Sequence, residues 1–161
     1  MNKKIGVFAG TFDPITIGHE EIIKKASDLF DNLVIAICIN KEKTATFDIE
    51  TRLKMVKSAC LKFDNCKVVY HEGMLVDLMK KLGAKYYVRG VRDSVDFEYE
   101  KKTHFFNKKL YPEIITVYIP CDEDLLEVSS TKVRKLIELK KDLSGYLSKE
   151  VLSILQENKA K

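Results

Sequence analysis

Ten residues near the start of the chain, GTFDPITIGH at 10–19, bring together groups suited to holding and polarising a phosphate. Thr16 and His19 are three apart, so on a helix they share one face of its first turn. Gly10 removes a Cβ where the chain must turn, and Asp13-Pro14 stiffens the bend. Thr16 is of the type that caps a helix, and Gly18 leaves space for a flat base or a sugar to approach the backbone. A helix opening here offers free N–H groups and the positive end of its dipole to an anion. Taken singly, Thr16 would only cap and His19 would only decorate the turn. A turn, two glycines and a histidine within ten residues favour nucleotide binding instead. The two common phosphate-loop patterns, GxGxxG and GxxxxGKS/T, do not occur in the sequence.

A second anion site is readable at Val128-Ser129-Ser130-Thr131-Lys132-Val133-Arg134. It offers three hydroxyls at a helix start, where a simple cap needs one. Cations lie between the two stretches, at Lys43 and in Arg89-Gly90-Val91-Arg92. A reaction that brings two phosphates together works against their repulsion and needs several fixed cations around an in-line geometry. Arg89 can grip a phosphate with its planar fork, while Lys43 acts as a point charge. The plainer reading of Arg89 and Arg92 is surface pairing with Asp93 or Asp96. The plainer reading of the acidic run Asp96, Glu98 and Glu100 is an exposed helix face, which suits Glu98.

The elements that must position these groups follow from hydrophobic periodicity. Short continuous apolar runs at 4–9, 32–39, 67–70, 85–88 and 114–119 predict five strands covered on both faces. A helix carrying Ile22, Ile23, Ala26, Leu29 and Phe30 on its core stripe follows the first. A second starts after Asp48 and aligns Leu53, Val56, Cys60 and Phe63. A third covers 75–82 and stops at Gly83, and a fourth covers about 94–109 and ends before Pro112. A polar loop at 120–128, a helix opening near Ser129 and a last helix from Ser148 complete the chain. Strand–helix alternation of this kind predicts an α/β fold, one domain over 1–161, with a doubly wound five-stranded parallel sheet, helices on both faces and C-terminal helices. Ligands of such sheets bind beyond the carboxyl ends of the strands, where the polar segments collect.

The first stretch resembles the signature of the nucleotidyltransferases, with Thr16 where many members carry a first histidine and His19 as the retained second one. Val128–Arg134 is similar to their triphosphate-holding helix start. Within that superfamily, RGVRDSVDFEYE at 89–100 resembles the matching stretch of bacterial phosphopantetheine adenylyltransferases, as do Lys43 and Asn107. The resemblance implies adenylate transfer from ATP to 4′-phosphopantetheine, yielding dephospho-coenzyme A and pyrophosphate, with Mg²⁺ carried mostly by ATP and water rather than by protein ligands. It implies ATP contacts at Thr11, Phe12, His19, Gly90, Val91, Arg92, Glu100, Leu125, Leu126, Glu127, Val128, Ser129, Ser130 and Thr131. Acceptor contacts fall on Thr11, Lys43, Leu75 and Arg89, with Asp96 and Asn107 in support, and His19 is the catalytic residue. A homohexamer is the assembly the resemblance implies.

The chain departs from this pattern in places. Phe8-Ala9 replaces an aromatic-proline pair, and Asp93-Ser94-Val95 replaces a small apolar linker. Leu125 and Glu127 stand where aromatics are frequent, and Thr103, His104 and Phe106 differ from a Leu/Met-rich helix. Two rival readings are a nicotinamide- or nicotinate-mononucleotide adenylyltransferase and a nucleotide-binding module without catalysis. Thr16 and the 89–100 stretch oppose the first. His19, Lys43, Arg89 and Arg92 together oppose the second.

The whole-chain numbers set bounds. At 161 residues the chain suits one domain, and 45% hydrophobic with 32% charged residues is an ordinary soluble balance. A formal net charge of +4, spread in scattered lysine pairs, gives no reason to expect nucleic acid. The longest apolar run, 33–39, is far short of the roughly 18 residues of a membrane span. Cys38, Cys60, Cys66 and Cys121 form no CxxC, and Cys38 and Cys60 read as small buried hydrophobes, which predicts a reduced, cytoplasmic setting. KMVKS at 54–58 resembles a synthetase loop but falls inside the second helix, with Val56 on its core side.

Overall fold

Each short apolar run becomes a strand: β1 (Ile5–Gly10), β2 (Asn32–Ile39), β3 (Cys66–Glu72), β4 (Tyr86–Val91) and β5 (Ile115–Pro120). The computed structural model describes residues 3–159, so the two outermost residues at each end of the expected 1–161 domain lie outside the described residues. All strands pair in parallel, in the order β3-β2-β1-β4-β5. The helices between and after them are α1 (Ile17–Leu29), α2 (Ile49–Cys60), α3 (Leu75–Leu82), α4 (Ser94–Leu110), α5 (Ser130–Glu138) and α6 (Lys149–Lys159).

Period-2 alternation sends successive residues of each strand to opposite faces. Phe8, Leu33, Ile35, Ile37 and Val88 join the cluster that holds Ile22, Ile23 and Ala26 of α1, Met55 and Val56 of α2, and Val151 of α6. Val7, Ala9, Val34, Ala36 and Tyr87 join a second cluster with Val76, Leu78 and Met79 of α3. Both faces are therefore dry, which is why the strands read as runs and not as alternation. KMVKS lies in α2 as its spacing requires, with Met55 and Val56 wholly buried and Lys54 on the surface, paired to Glu157 at 2.7 Å.

The helix starts are capped by the residues the sequence offers. Asp48 accepts the N–H of Thr51 at 2.7 Å, Asp93 that of Asp96 at 2.8 Å and Ser129 that of Lys132 at 3.1 Å. α3 ends on Gly83 at φ 63°, the left-handed cap that glycine adopts without a steric penalty. Two details differ from the sequence reading. Leu29, the last residue of α1, is 55% exposed, because the core stripe ends at Ala26 and Phe30 is buried from outside the helix. The 120–128 loop contains a short 3-10 turn, Glu123–Leu125.

All four cysteines are free thiols. Cys60 is buried and Cys38 only partly so, and burial pushes the thiol of Cys60 up to about 12 and that of Cys66 to about 11. Groups held that far above neutrality are poor nucleophiles.

Candidate active site

β1 is flanked by β2 on one side and β4 on the other, so the connections leaving β1 and β4 diverge and open a crevice at their carboxyl ends. A cleft of about 440 Å³ occupies that place. Its wall is built from the turn after β1, the first turn of α1, the end of β4, Asp96 and Glu100 of α4, and the segment leading into α5.

The first turn of α1 is a capping box. The backbone N–H of Thr16 donates to Nδ1 of His19 at 3.0 Å, and the His19 N–H reaches the Thr16 hydroxyl at 3.4 Å. An amide N–H can only donate, so Nδ1 must be the bare, accepting nitrogen and the neutral ring carries its proton on Nε2. His19 is held from its ordinary 6.5 down to about 4, by burial first and then by the charges of Arg89 and Arg92. The capping bond acts in the same direction, since a proton on Nδ1 would have to expel the Thr16 N–H. At neutral pH the ring is thus an uncharged hydrogen-bond donor on the wall of the cleft.

Phe12 supports that ring rather than standing free in the cleft. Its side chain is 1% exposed and meets His19 edge-on at 5.0 Å and Phe8 at 5.5 Å between ring centres. Its backbone sits at φ 47°, a left-handed conformation that non-glycine residues hold only where packing imposes it. The buried ring does so here.

The turn is braced from three directions. The Asp13 carboxylate accepts the N–H groups of Thr46 and Phe47 at 2.8 and 2.9 Å. Arg52 of α2 donates to the Thr11 carbonyl at 3.0 Å, and Arg134 of α5 to the Asp13 carbonyl at 2.8 Å. Ser130 Oγ donates to the Pro14 carbonyl at 2.7 Å. Of these, Ser130 was expected on ATP, whereas Asp13, Arg52 and Arg134 were not named as ligand contacts. For Asp13 the signal was an acid held beside a proline in a binding turn. Arg52 had no local signal, because its partner lies 41 residues away.

At the start of α5 the three hydroxyls divide their work. Ser129 accepts as the cap, Thr131 Oγ1 accepts from Arg134 Nη2 at 3.1 Å, and Ser130 gives its proton to Pro14. Ser129 and Thr131 therefore retain an O–H to donate, beside the free N–H groups of the first helical turn. A second apolar end of the cleft is lined by Gly18, Ile22, Gly90, Cys121, Leu125 and Val128. A Cβ on Gly90 would lie 2.8 Å from Ile22 Cγ1, so glycine is required for the close approach of β4 to α1. One on Gly18 would meet nothing nearer than 3.5 Å, so that position leaves room beside Val128.

Arg89 and Glu100, expected on acceptor and nucleotide respectively, are bonded to each other. Arg89 Nε and Nη2 donate to the two Glu100 oxygens at 2.8 and 2.5 Å, and Nη1 donates to the Ala9 carbonyl at 2.9 Å. Glu100 is 4% exposed. Arg92 is more open, its backbone N–H 3.1 Å from Asp96 and its side chain 4.0 Å from the same carboxylate. Glu98 pairs with Lys101 at 2.8 Å on the outer face of α4.

The remaining expected residues are placed as follows. Thr11, Phe12, Gly90, Arg92, Asp96, Leu125, Val128, Ser129, Ser130 and Thr131 line the first cleft with His19, Arg89 and Glu100. Lys43 lines an adjoining cleft of about 530 Å³, which shares Thr11, Asp13 and Arg134 with the first and adds Lys41, Thr46 and Arg52. Val91, Leu126, Glu127, Leu75 and Asn107 line neither. Glu127 points to solvent near Lys132 at 3.6 Å, Leu75 packs on the α3-side core and Asn107 is buried within α4.

No group of three or more potential ligands for a metal ion occurs among the described residues. Of the carboxylates lining the cleft, Asp13 accepts two amides, Glu100 is paired with Arg89 and Asp96 accepts the Arg92 N–H.

The site sets a helix-capped histidine, two helix N-termini and two arginines at the switch point of a parallel sheet, and the chain matches the cytidylyltransferase-like family over residues 7–136, which makes it a nucleotidyltransferase. It is 41% identical over 157 residues, 97% of this chain and 95% of the relative, to the phosphopantetheine adenylyltransferase of Streptococcus uberis. With that of Streptococcus agalactiae serotype Ia it shares 44% over 153 residues, 94% of each chain. The chain belongs to the phosphopantetheine adenylyltransferase family. Its fold is shared with the solved structure of a Vibrio parahaemolyticus protein provisionally described as a nicotinate-nucleotide adenylyltransferase, at TM-score 0.74, 20% identity, and 97% and 93% coverage of the two chains.

Proposed function

We propose that the protein transfers the adenylyl group of ATP to 4′-phosphopantetheine, releasing pyrophosphate and forming dephospho-coenzyme A in the penultimate step of coenzyme A synthesis. Membership of the family supports this reading. The structural observation that carries it is His19, neutral and with its proton on Nε2, on the wall of a cleft flanked by two helix N-termini. An oxygen of the acceptor phosphate attacks the α-phosphorus of ATP. A new P–O bond forms as the bond to the bridging oxygen breaks, and the electron pair leaves with pyrophosphate. The attacking oxygen is already anionic, so the step needs neither a general base nor a covalent enzyme intermediate. His19 donates to a non-bridging α-phosphate oxygen as charge builds there, beside the positive end of the α1 dipole. The free O–H groups of Ser129 and Thr131 and the α5 amides face the β- and γ-phosphates. Mg²⁺ enters with ATP as part of the substrate.

The apolar residues Val95, Tyr99, Phe105, Phe106 and Leu110 exposed on α4 support a homo-oligomer, a homohexamer by family resemblance. Four free thiols are consistent with work in the reducing cytoplasm. The deciding experiment incubates the protein with ATP, Mg²⁺ and either 4′-phosphopantetheine or nicotinate mononucleotide, and weighs the products. Dephospho-coenzyme A is expected. A dinucleotide product instead, or none with either acceptor, would overturn the assignment. Light scattering on the same sample reads the assembly.

A further inference from the structure

Lys25 lies further along the helix whose first turn holds His19, and its ammonium has three protons to place. One goes to the Pro120 carbonyl at 3.0 Å and one to Asp122 Oδ1 at 2.6 Å, while Glu21 Oε1 stands 3.4 Å away for the third. The two nearer acceptors belong to the residues on either side of Cys121, which lines the apolar end of the cleft. The Cys121 N–H donates to the Val91 carbonyl at 2.9 Å and joins the end of β5 to β4. Beyond it the chain leaves the sheet through the 3-10 turn, and Leu125 of that turn lines the same end of the cleft. We infer that Lys25 is a positioning residue for the nucleotide base: by gripping Pro120 and Asp122 it holds Cys121 and Leu125 against α1, so that the base end of the cleft is formed before ATP arrives. The inference rests on the adenylyl-transfer reading above.

His19, Arg89, Arg92, Ser129 and Thr131 gather at one part of the cleft and suit phosphates, which leaves the flat purine for the apolar end beside Gly18 and Val128. The Asp122 carbonyl accepts the Leu125 N–H at 3.0 Å, so holding Asp122 also holds the turn that presents Leu125. The Lys25 side chain is 32% exposed and that of Asp122 50%, so their ion pair adds little to global stability. Its effect is on local order. Without it the loop keeps its backbone bonds at Cys121 and the Ser129 cap, but the stretch between must be ordered by the ligand itself, which weakens binding. The phosphate-binding groups lie outside this stretch, so the weakening is confined to ligands that carry the base.

The test compares Lys25→Met, which keeps the apolar stem and removes the donors, with Lys25→Arg, which keeps both charge and donors. Lys25→Met should raise KM for ATP by about 3- to 10-fold and change kcat and KM for 4′-phosphopantetheine by less than about twofold. Lys25→Arg should recover most of the loss. In the reverse reaction KM should rise for dephospho-coenzyme A, which carries the base, and stay level for pyrophosphate, which does not. Asp122→Asn should give a smaller rise of the same kind, and combined with Lys25→Met it should add little, because both changes open one clamp. Calorimetry of ATP binding, which needs no turnover, should show the same rise in Kd. An unchanged affinity for ATP in Lys25→Met, or an equal rise in KM for pyrophosphate or 4′-phosphopantetheine, would overturn the inference. Unaltered enzyme that makes no dephospho-coenzyme A fails the adenylyl-transfer reading instead, and calorimetry still decides whether Lys25 shapes the nucleotide site.

Discussion

Thr16 donates its backbone N–H to Nδ1 of His19 at 3.0 Å, and that single bond both closes a helix and decides where an imidazole keeps its proton. Helix capping and the catalysis proposed for His19 rest on the same contact. The ring cannot rotate to present Nδ1 to a substrate without uncapping α1, so its Nε2–H is aimed before any ligand arrives.

Replacing His19 by alanine removes a donor needed only as charge develops. Turnover should fall by about 10²–10³ while KM for ATP changes far less. Steady-state kinetics with both substrates varied is the check. Near-normal kcat would take His19 out of the chemistry.

The same histidine makes stability depend on pH. Its value falls from 6.5 to about 4 on folding, by burial first and then by Arg89 and Arg92. Between those limits the unfolded chain binds the proton and the native protein does not. The contribution is therefore fully lost only as pH falls from about 6.5 to about 4, and it is level outside that window. Urea midpoints measured down this range should fall more steeply for the wild type than for His19→Asn. For the same reason kcat should show no acid limb near 6.5.

Asp13→Asn should loosen the loop that bears Lys43. Both Asp13 oxygens accept amide protons from Thr46 and Phe47, and an asparagine would turn an NH₂ group towards one of them. A loss of about 1–3 kcal/mol is expected in chemical denaturation. KM for 4′-phosphopantetheine should rise more than KM for ATP, since the first turn and the Lys43 loop would separate.

Gly90→Ala tests the close approach of β4 to α1. Its Cβ would press on Ile22 Cγ1 at 2.8 Å and Cδ1 at 3.1 Å. Overpacking of this order costs about 1–3 kcal/mol. Because Ile22 also lines the cleft, the variant should bind ATP less tightly, read by calorimetry.

The fold was legible because its local and global signals agree. Each strand is an apolar run between polar breaks, and Thr16, Asp48 and Ser129 announce their helices in the sequence and cap them in space. Legibility fell where a residue's partner is distant. Asp13 looked like turn chemistry, yet its carboxylate holds amides more than thirty positions away. Arg89 was expected to face ligand or pair with Asp93 or Asp96, but its partner is Glu100, eleven residues on and about one helical turn beyond Asp96 along α4. Spacing alone does not choose between Asp96 and Glu100, since both project from the same helix near the end of β4. Burial decides it, because the interior position of Glu100 demands a paired carboxylate more than the partly open one of Asp96.

The tethers from α5 to the first turn have a temporal meaning. Ser130 and Arg134 reach back 116 and 121 residues to Pro14 and Asp13. A growing chain makes the histidine turn more than a hundred residues before the wall that faces it. During translation the cleft cannot assemble until α5 has left the ribosome, so a chain that stops before α5 carries His19 without the wall that faces it.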